Sequence, residues 1–370
     1  MPNREKSRDL PLFQAYPRLA EAIPRLPLGN WPTPVTHTRH FAEEHGIKTL
    51  YVKREDLSHS ECGGNKVRGL EFLLAEAKRR RTDTILTFSS AGSHHICKTA
   101  CHADNLGMNT MAFIVRQPIA DYVRRNLQAG LSRGVIYVPA NYVTILPKLA
   151  WCLLKNKIST KHETPPYIIP PGGTSPLSCI GHVNAAFELK RQIDAGVLPE
   201  PDYLYGALGS LGTMAGLALG CKLAGLKVKL IGVVVSYRWY CTPNRWAKLA
   251  MRTLDHMQTG DTNVPKVVID PAELTVIRTS LGRGYAHFTE SSANLARRFF
   301  DLERIQLDGT YTAKTLHGAL RFIGDRALHD KVHLFWHSFH AMPPAIRIDL
   351  NALEPNLKQY FIEDKQPFDD

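Results

Sequence analysis

Strand and helix signals alternate along this chain, and that rhythm constrains its fold more than any other feature. Residues 84–88, 110–115 and 135–138 are short β-branched and aromatic runs. Helical stretches over about 94–106 and 119–132 separate them, stopped by Gly107 and Gly134. A second block repeats the pattern: a helix near 181–194, a strand over 203–208, a helix near 213–224 and a strand over 228–235. Helices around 291–302 and 314–328 then precede a strand over 332–336. Parallel strands need long crossovers, so alternation at these lengths predicts an α/β fold with two open, mostly parallel sheets covered by helices. The expected division is a large discontinuous domain, 1–68 and 183–370, and a small α/β domain, 69–182. Segments 141–168 and 238–264 break the rhythm and read as elaborations.

Ahead of the first block stands Gly63-Gly64-Asn65-Lys66, leading into an amphipathic helix. Val67, Leu70, Leu74 and Ala77 recur at helical spacing, which turns Arg68, Glu71, Glu76 and Lys78 outward. Asn65 suits the N-cap, and the glycines permit a tight turn before it. Lys66 then falls in the first turn, where the helix dipole and unpaired N–H groups disfavour an ammonium. A lysine there gives up its proton more readily, as a Schiff-base lysine must. On this segment alone it reads as an ordinary lysine at a helix start.

A second signal changes that reading. Leu208-Gly209-Ser210-Leu211-Gly212-Thr213 follows a predicted strand and opens a predicted helix. Small residues let backbone N–H groups approach an anion at a helix N-terminus, and Ser210 and Thr213 add hydroxyl donors. The turn lacks the Lys-Ser/Thr ending of a P-loop, and its glycines are out of register with a dinucleotide fingerprint. A single phosphate is what remains. A lysine poised for imine formation together with a single-phosphate cradle describes pyridoxal 5′-phosphate.

Lys53-Arg54-Glu55-Asp56-Leu57 through Gly63-Gly64-Asn65-Lys66, with Leu70-Glu71-Phe72-Leu73, resembles the 1-aminocyclopropane-1-carboxylate deaminase/D-cysteine desulfhydrase family. So do Ile169-Pro170-Pro171-Gly172-Gly173-Thr174-Ser175, Gly282-Arg283-Gly284-Tyr285 and Tyr311-Thr312-Ala313-Lys314, in order over about 30–340. The resemblance implies the tryptophan-synthase-β-like fold (fold type II) and a homodimer. It implies that Lys66 holds the cofactor covalently, that Asn65 helps to bind it, and that Gly209, Ser210, Leu211, Gly212 and Thr213 hold its phosphate. Thr312 would face the pyridine nitrogen, where the deaminases resemble one another in having a glutamate. A hydroxyl cannot keep that nitrogen protonated, which tilts the expectation toward β-elimination of a good leaving group. Ser93 and His95 would meet the substrate carboxylate, and Tyr285 and Tyr311 would line the substrate side as acid/base or packing groups.

Two positions depart from the family. His94, with both cofactor and substrate in reach, replaces an asparagine expected near the cofactor's ring hydroxyl. His337-Ser338-Phe339-His340 replaces His-Thr-Gly-Gly, so either the loop is rerouted or the pocket is smaller. The expected function is a pyridoxal-phosphate lyase or deaminase of a small amino acid. D-cysteine desulfhydrase-type elimination to pyruvate, ammonia and sulfide leads. Alternatives are aminocyclopropane-carboxylate deamination and a cofactor-binding protein with altered or lost catalysis.

The net charge of +12 raises the question of nucleic acid, but the basic residues are scattered and no basic-aromatic module accompanies them. Their densest cluster, Lys78-Arg79-Arg80-Arg81, ends a predicted helix. No membrane partner is expected, because Lys222 and several glycines interrupt the longest uncharged run. Seven dispersed cysteines and a polar N-terminus point to a reducing, cytoplasmic setting with buried, unpaired thiols. His94, His95, Cys97, Cys101 and His102 crowd one helix and His333, His337 and His340 another segment. Without a CxxC pair, no metal site is expected. The alternation over 332–336 would put its histidines on a polar face.

Overall fold

Why two sheets form is visible in where the strands fall. The computed structural model describes residues 9–141, 143–158, 164–341 and 349–369. In chain order its strands are β1 (Val35–His37), β2 (Thr49–Arg54), β3 (Thr84–Ser90), β4 (Asn109–Val115), β5 (Ile136–Pro139), β6 (Tyr167–Ile169), β7 (Tyr203–Leu208), β8 (Lys229–Val234), β9 (Thr275–Ile277) and β10 (Val332–His337). One sheet runs β1-β2-β10-β7-β8-β9 and the other β5-β4-β3-β6. Every described pairing is parallel except β1 with β2. The four-stranded sheet is built entirely from the segment between Thr84 and Ile169, and the chain on either side of it supplies the six-stranded one. Helices cover the sheets, which is why β8 buries five consecutive residues rather than every second one. The three-residue strands β1, β6 and β9 carried no readable sequence period. The segment 141–168 contributes the helix Ile145–Ile158 and β6, with Tyr142 and 159–163 outside the described residues; 238–264 contributes the helix Pro243–Gly260. Among the described residues no helix is long and apolar enough to cross a membrane.

Close helix packing sets the frame of the site. The helix Pro176–Asp194 lies between Lys66–Arg79 and Gly212–Leu223, and glycines let them approach. A Cβ at Gly216 would come 2.5 Å from the Cys179 carbonyl oxygen and 2.5 Å from His182 Cβ. Gly216→Val is therefore expected to destabilise by roughly 1–3 kcal/mol through overpacking, read as a lowered denaturation midpoint.

The Lys66–Arg79 helix corrects the amphipathic reading. Arg68 and Glu71, expected outward, are 1% and 2% exposed. Arg68 pairs with Glu55 at 2.6 Å and with Glu188 at 3.0 Å, and its guanidinium lies 3.9 Å from the Trp31 ring centroid. Lys53 Nζ joins this network 2.6 Å from Glu188. Glu71 accepts from Arg25 at 2.7 Å and from the backbone N–H groups of Leu28 and Gly29. Glu76 is buried as well, paired with Arg79 and Arg80, while Lys78 does face solvent. Segment 25–33 and the Pro176–Asp194 helix cover the predicted polar face with matching charges, which a hydrophobic period cannot register. His333 on β10 is likewise buried rather than on a polar face: Tyr205 and the Leu328 carbonyl engage its two ring nitrogens.

The cysteines also depart from expectation. Cys62 and Cys101 form a disulfide, with Cα atoms 6.4 Å apart, while Cys97, Cys179, Cys221 and Cys241 are buried free thiols. Thirty-nine residues of sequence separate the pair, so spacing alone gave no hint of it. Alkylation of unfolded protein should find two more thiols after reduction than before, checked by mass; equal counts would contradict the pairing. No cluster of three potential metal ligands occurs among the described residues.

Candidate active site

Loops at the carboxyl ends of strands in both sheets enclose a cavity of about 470 Å³, where ligands bind in open α/β sheets. Lys66, the first residue of its helix, lies on the wall with Nζ 3.0 Å from the Gly172 carbonyl oxygen. Burial strips water from its ammonium and pushes the pKa down to about 8, with Cys179 opposing weakly. Asn65 occupies the N-cap position, yet its side chain does not cap. Its amide instead donates to Thr213 Oγ1 at 2.7 Å and ties the lysine helix to the glycine turn.

That turn, Gly209 to Thr213, lines the same cavity and opens the Gly212–Leu223 helix. Leu211 is held in the left-handed region at φ 72°, an outlier of the kind found where a backbone must present its N–H groups to a ligand. Ser210 Oγ accepts from Thr174 Oγ1 at 2.6 Å. A Cβ at Gly172 would come 2.7 Å from Ser210 Oγ, and one at Gly212 would come 2.9 Å from Thr174 Oγ1. Side chains at either position would fill the cradle. An amine of lowered pKa and an anion cradle on one cavity wall fit pyridoxal phosphate.

The N-terminus of the His94–Asp104 helix also reaches the cavity. Ser93 caps it, its Oγ accepting from His95 N at 3.2 Å. His95 is buried between two hydroxyls, Nε2 to Thr87 Oγ1 at 3.0 Å and Nδ1 to Thr99 Oγ1 at 3.4 Å. His94 stacks on Tyr122, with ring centroids 5.2 Å apart. Its Nδ1 lies 3.1 Å from Asn126 Nδ2, which also donates to the Gly92 carbonyl, so Nδ1 must accept. Burial first, then the charges of Lys98, His340 and Lys66, push His94 down to about 3; burial and Lys66 do the same to His95. Both rings are neutral near pH 7.

Tyr285 and Tyr311 meet at the cavity with hydroxyls 2.6 Å apart, and Ser90 Oγ stands 2.9 Å from Tyr285. Burial raises the Tyr311 pKa well above its ordinary value. Thr312 is the one site residue predicted from sequence that is absent from the described cavity wall. Its hydroxyl donates to Asp308 Oδ1 at 2.7 Å and accepts from Asp308 N at 2.7 Å. Asp308 does line the cavity, its carboxylate accepting from the backbone N–H groups of Thr310, Tyr311 and Thr312. Its only sequence signal is an aspartate four residues before Thr312, just ahead of the helix. Thr174, Ser90 and Phe88 were missed too, being exposed to the cavity only by folding.

The departure after β10 resolves into two different roles. Phe339 lines the cavity, edge-on to His94 at 5.2 Å. His340 turns away, with Nδ1 2.7 Å from the Asp56 carbonyl oxygen and Nε2 3.1 Å from that of Glu61. It braces the loop that leads to Lys66.

Residues 26–338 match the family of pyridoxal-phosphate dependent enzymes. A D-cysteine desulfhydrase of Klebsiella pneumoniae (strain 342) is 30% identical over 314 residues, 84% of this chain and 91% of that protein. A Pyrococcus abyssi (strain GE5 / Orsay) protein, provisionally named 1-aminocyclopropane-1-carboxylate deaminase, is 29% identical over 309 residues, 82% and 87% of the two chains. The crystal structure of an ACC deaminase homologue superimposes with a TM-score of 0.74 at 27% identity, covering 87% of this chain and 93% of that one. The fold is type II of the pyridoxal-phosphate enzymes. With sequence match, fold and cavity in agreement, the chain belongs to the pyridoxal-phosphate dependent enzymes of the 1-aminocyclopropane-1-carboxylate deaminase/D-cysteine desulfhydrase family.

Proposed function

We propose that this enzyme removes a β-thiol substituent from a small amino acid by D-cysteine desulfhydrase-type elimination, giving pyruvate, ammonia and sulfide. The observation that carries the reading is the meeting of Lys66, the Gly209–Thr213 turn, Ser93 and His95 around one cavity. Pyridoxal phosphate, when bound, supplies an electrophilic carbon for a primary amine and a ring that draws electrons from the substrate Cα. Lys66 would hold it, the backbone of 209–213 would take its phosphate, and Asn65 would keep the two in register through Thr213. Ser93 and the first N–H groups of its helix suit the substrate carboxylate.

An amine brought down to about 8 is unprotonated in part of the molecules at neutral pH, so Lys66 can take the Cα proton. Tyr311, kept protonated by burial, is a donor toward the departing sulfur, and Tyr285 and Ser90 extend the relay behind it.

A second reading, opening of the aminocyclopropane ring, uses the same groups and is favoured by the Pyrococcus relative and the deaminase-homologue structure. Cofactor-loaded protein given D-cysteine, L-cysteine and the cyclopropane amino acid separates them. Sulfide and pyruvate from cysteine support elimination, and 2-oxobutyrate from the cyclopropane substrate alone favours the second reading. No keto acid from any of the three would overturn both cysteine elimination and ring opening.

A further inference from the structure

The cavity has two chemically different ends. One holds Lys66, the glycine turn and the hydroxyls that suit a phosphate and a carboxylate. The other is walled by rings. Tyr311 meets Tyr285 edge-on at 6.0 Å, Tyr285 lies near-parallel to Tyr237 at 6.4 Å, and Tyr237 is 6.2 Å from Trp239. These rings form a continuous path from the candidate proton donor to the surface, where Tyr237 is 45% and Trp239 68% exposed. Arg245 lies 5.3 Å from the Trp239 ring centroid and 5.0 Å from that of Tyr240, positioning the rim.

Cysteine ends one bond beyond Cβ and has no group beyond its sulfur to meet these rings. Exposed aromatic surface continuous with a cavity marks a place for an apolar ligand group. Among the described lining residues, Lys66 and Asp308 are the Lys, Arg, Asp or Glu side chains. Asp308 is already engaged by three backbone donors and a hydroxyl. Apart from Arg245 at the rim, whose guanidinium rests against Trp239 and Tyr240, the lining of the aromatic end carries no charge.

We infer that the preferred substrate carries an aromatic ring on its β-sulfur, as in an S-aryl or S-benzyl cysteine, with the ring against Tyr237 and Trp239. This rests on the elimination reading above and names its substrate class. The atoms balance without an oxidant or reductant. The Cα proton passes to Lys66 and the Cβ–S bond breaks with its electron pair on sulfur, which leaves as the thiolate with the Tyr311 hydroxyl as a hydrogen-bond donor to it. Water then replaces nitrogen in the three-carbon remainder, giving pyruvate and ammonia. An aryl thiolate, being the weaker base, is also the better leaving group.

The test follows thiol and pyruvate release by cofactor-loaded protein from both enantiomers of S-phenylcysteine, S-benzylcysteine and cysteine. The expected kcat/KM for an aryl substrate exceeds that for cysteine by about 10–200-fold, the span an apolar pocket achieves. Trp239→Ala and Tyr237→Ala should each reduce that ratio about 10-fold. A ratio of one or less, or a ratio that neither variant changes, overturns the inference. Binding is read separately from the change in the cofactor's visible absorbance. If no thiol is released but S-phenylcysteine binds more tightly than alanine, and Trp239→Ala removes the advantage, the ring subsite stands and the elimination reading falls. Equal binding of both amino acids sinks the subsite itself.

Discussion

Lys66→Ala protein, loaded with pyridoxal phosphate and desalted, should show none of the visible absorbance of lysine-linked cofactor, and its turnover should fall by about 10⁴-fold. Lys66 is asked to do two things, to hold the cofactor covalently and to move the Cα proton, and alanine removes both. The fold should survive, because Lys66 sits on a cavity wall and the Gly172 carbonyl that it meets can turn to water. Wild-type spectra in the variant would refute the assignment. Its pKa gives a further check with a definite sign. The nucleophile is the unprotonated amine, so the rate of cofactor capture by the apo-protein should rise with pH and level off near 8. An ordinary lysine would keep gaining toward its usual value of 10.5.

Glu188→Ala is expected to be the most damaging substitution away from the cavity. It would leave Lys53 and Arg68 buried without their shared carboxylate, and breaking a buried pair from one side costs about 3–5 kcal/mol. That should lower the melting temperature by roughly 5 °C. Burial works against the Glu188 carboxylate, but Arg68 and Lys53 outweigh it and hold the pKa down to about 2 from an ordinary 4.5. A carboxyl depressed in the folded state contributes stability above its ordinary pKa and loses it as pH falls toward the folded value. Wild-type protein should therefore lose stability between about pH 4.5 and 2 more steeply than Glu188→Ala. Parallel pH profiles would show that the network does not act as the geometry implies.

How much of the site was legible depended on whether a residue's role is local. Lys66 and the 209–213 turn were readable because a helix start and a βα turn announce themselves through neighbours in the chain. Tyr285 and Tyr311 were readable as members of the family signatures, but their shared hydrogen bond was not. Thr312 shows the opposite case. Its place in a signature suggests a role toward the cofactor, but that its hydroxyl donates to Asp308, one helical turn away, is visible only in the fold. Phe339 and His340 stood out as departures, and only their backbone path decided that one faces the cavity and the other braces the loop at Asp56 and Glu61.

By itself the sequence determined the α/β alternation, the parallel sheets, a lysine at a helix start and a glycine-rich βα turn. Each of these is encoded by periodicity, capping or glycine placement within a few residues. Tertiary structure alone decided the rest: which charges are buried beside Arg68 and Glu71, that Cys62 meets Cys101, and that rings from 237–240, 285 and 311 line one cavity. Those outcomes depend on pairs separated by tens to hundreds of residues, and no local period records which distant group the folded chain will bring alongside.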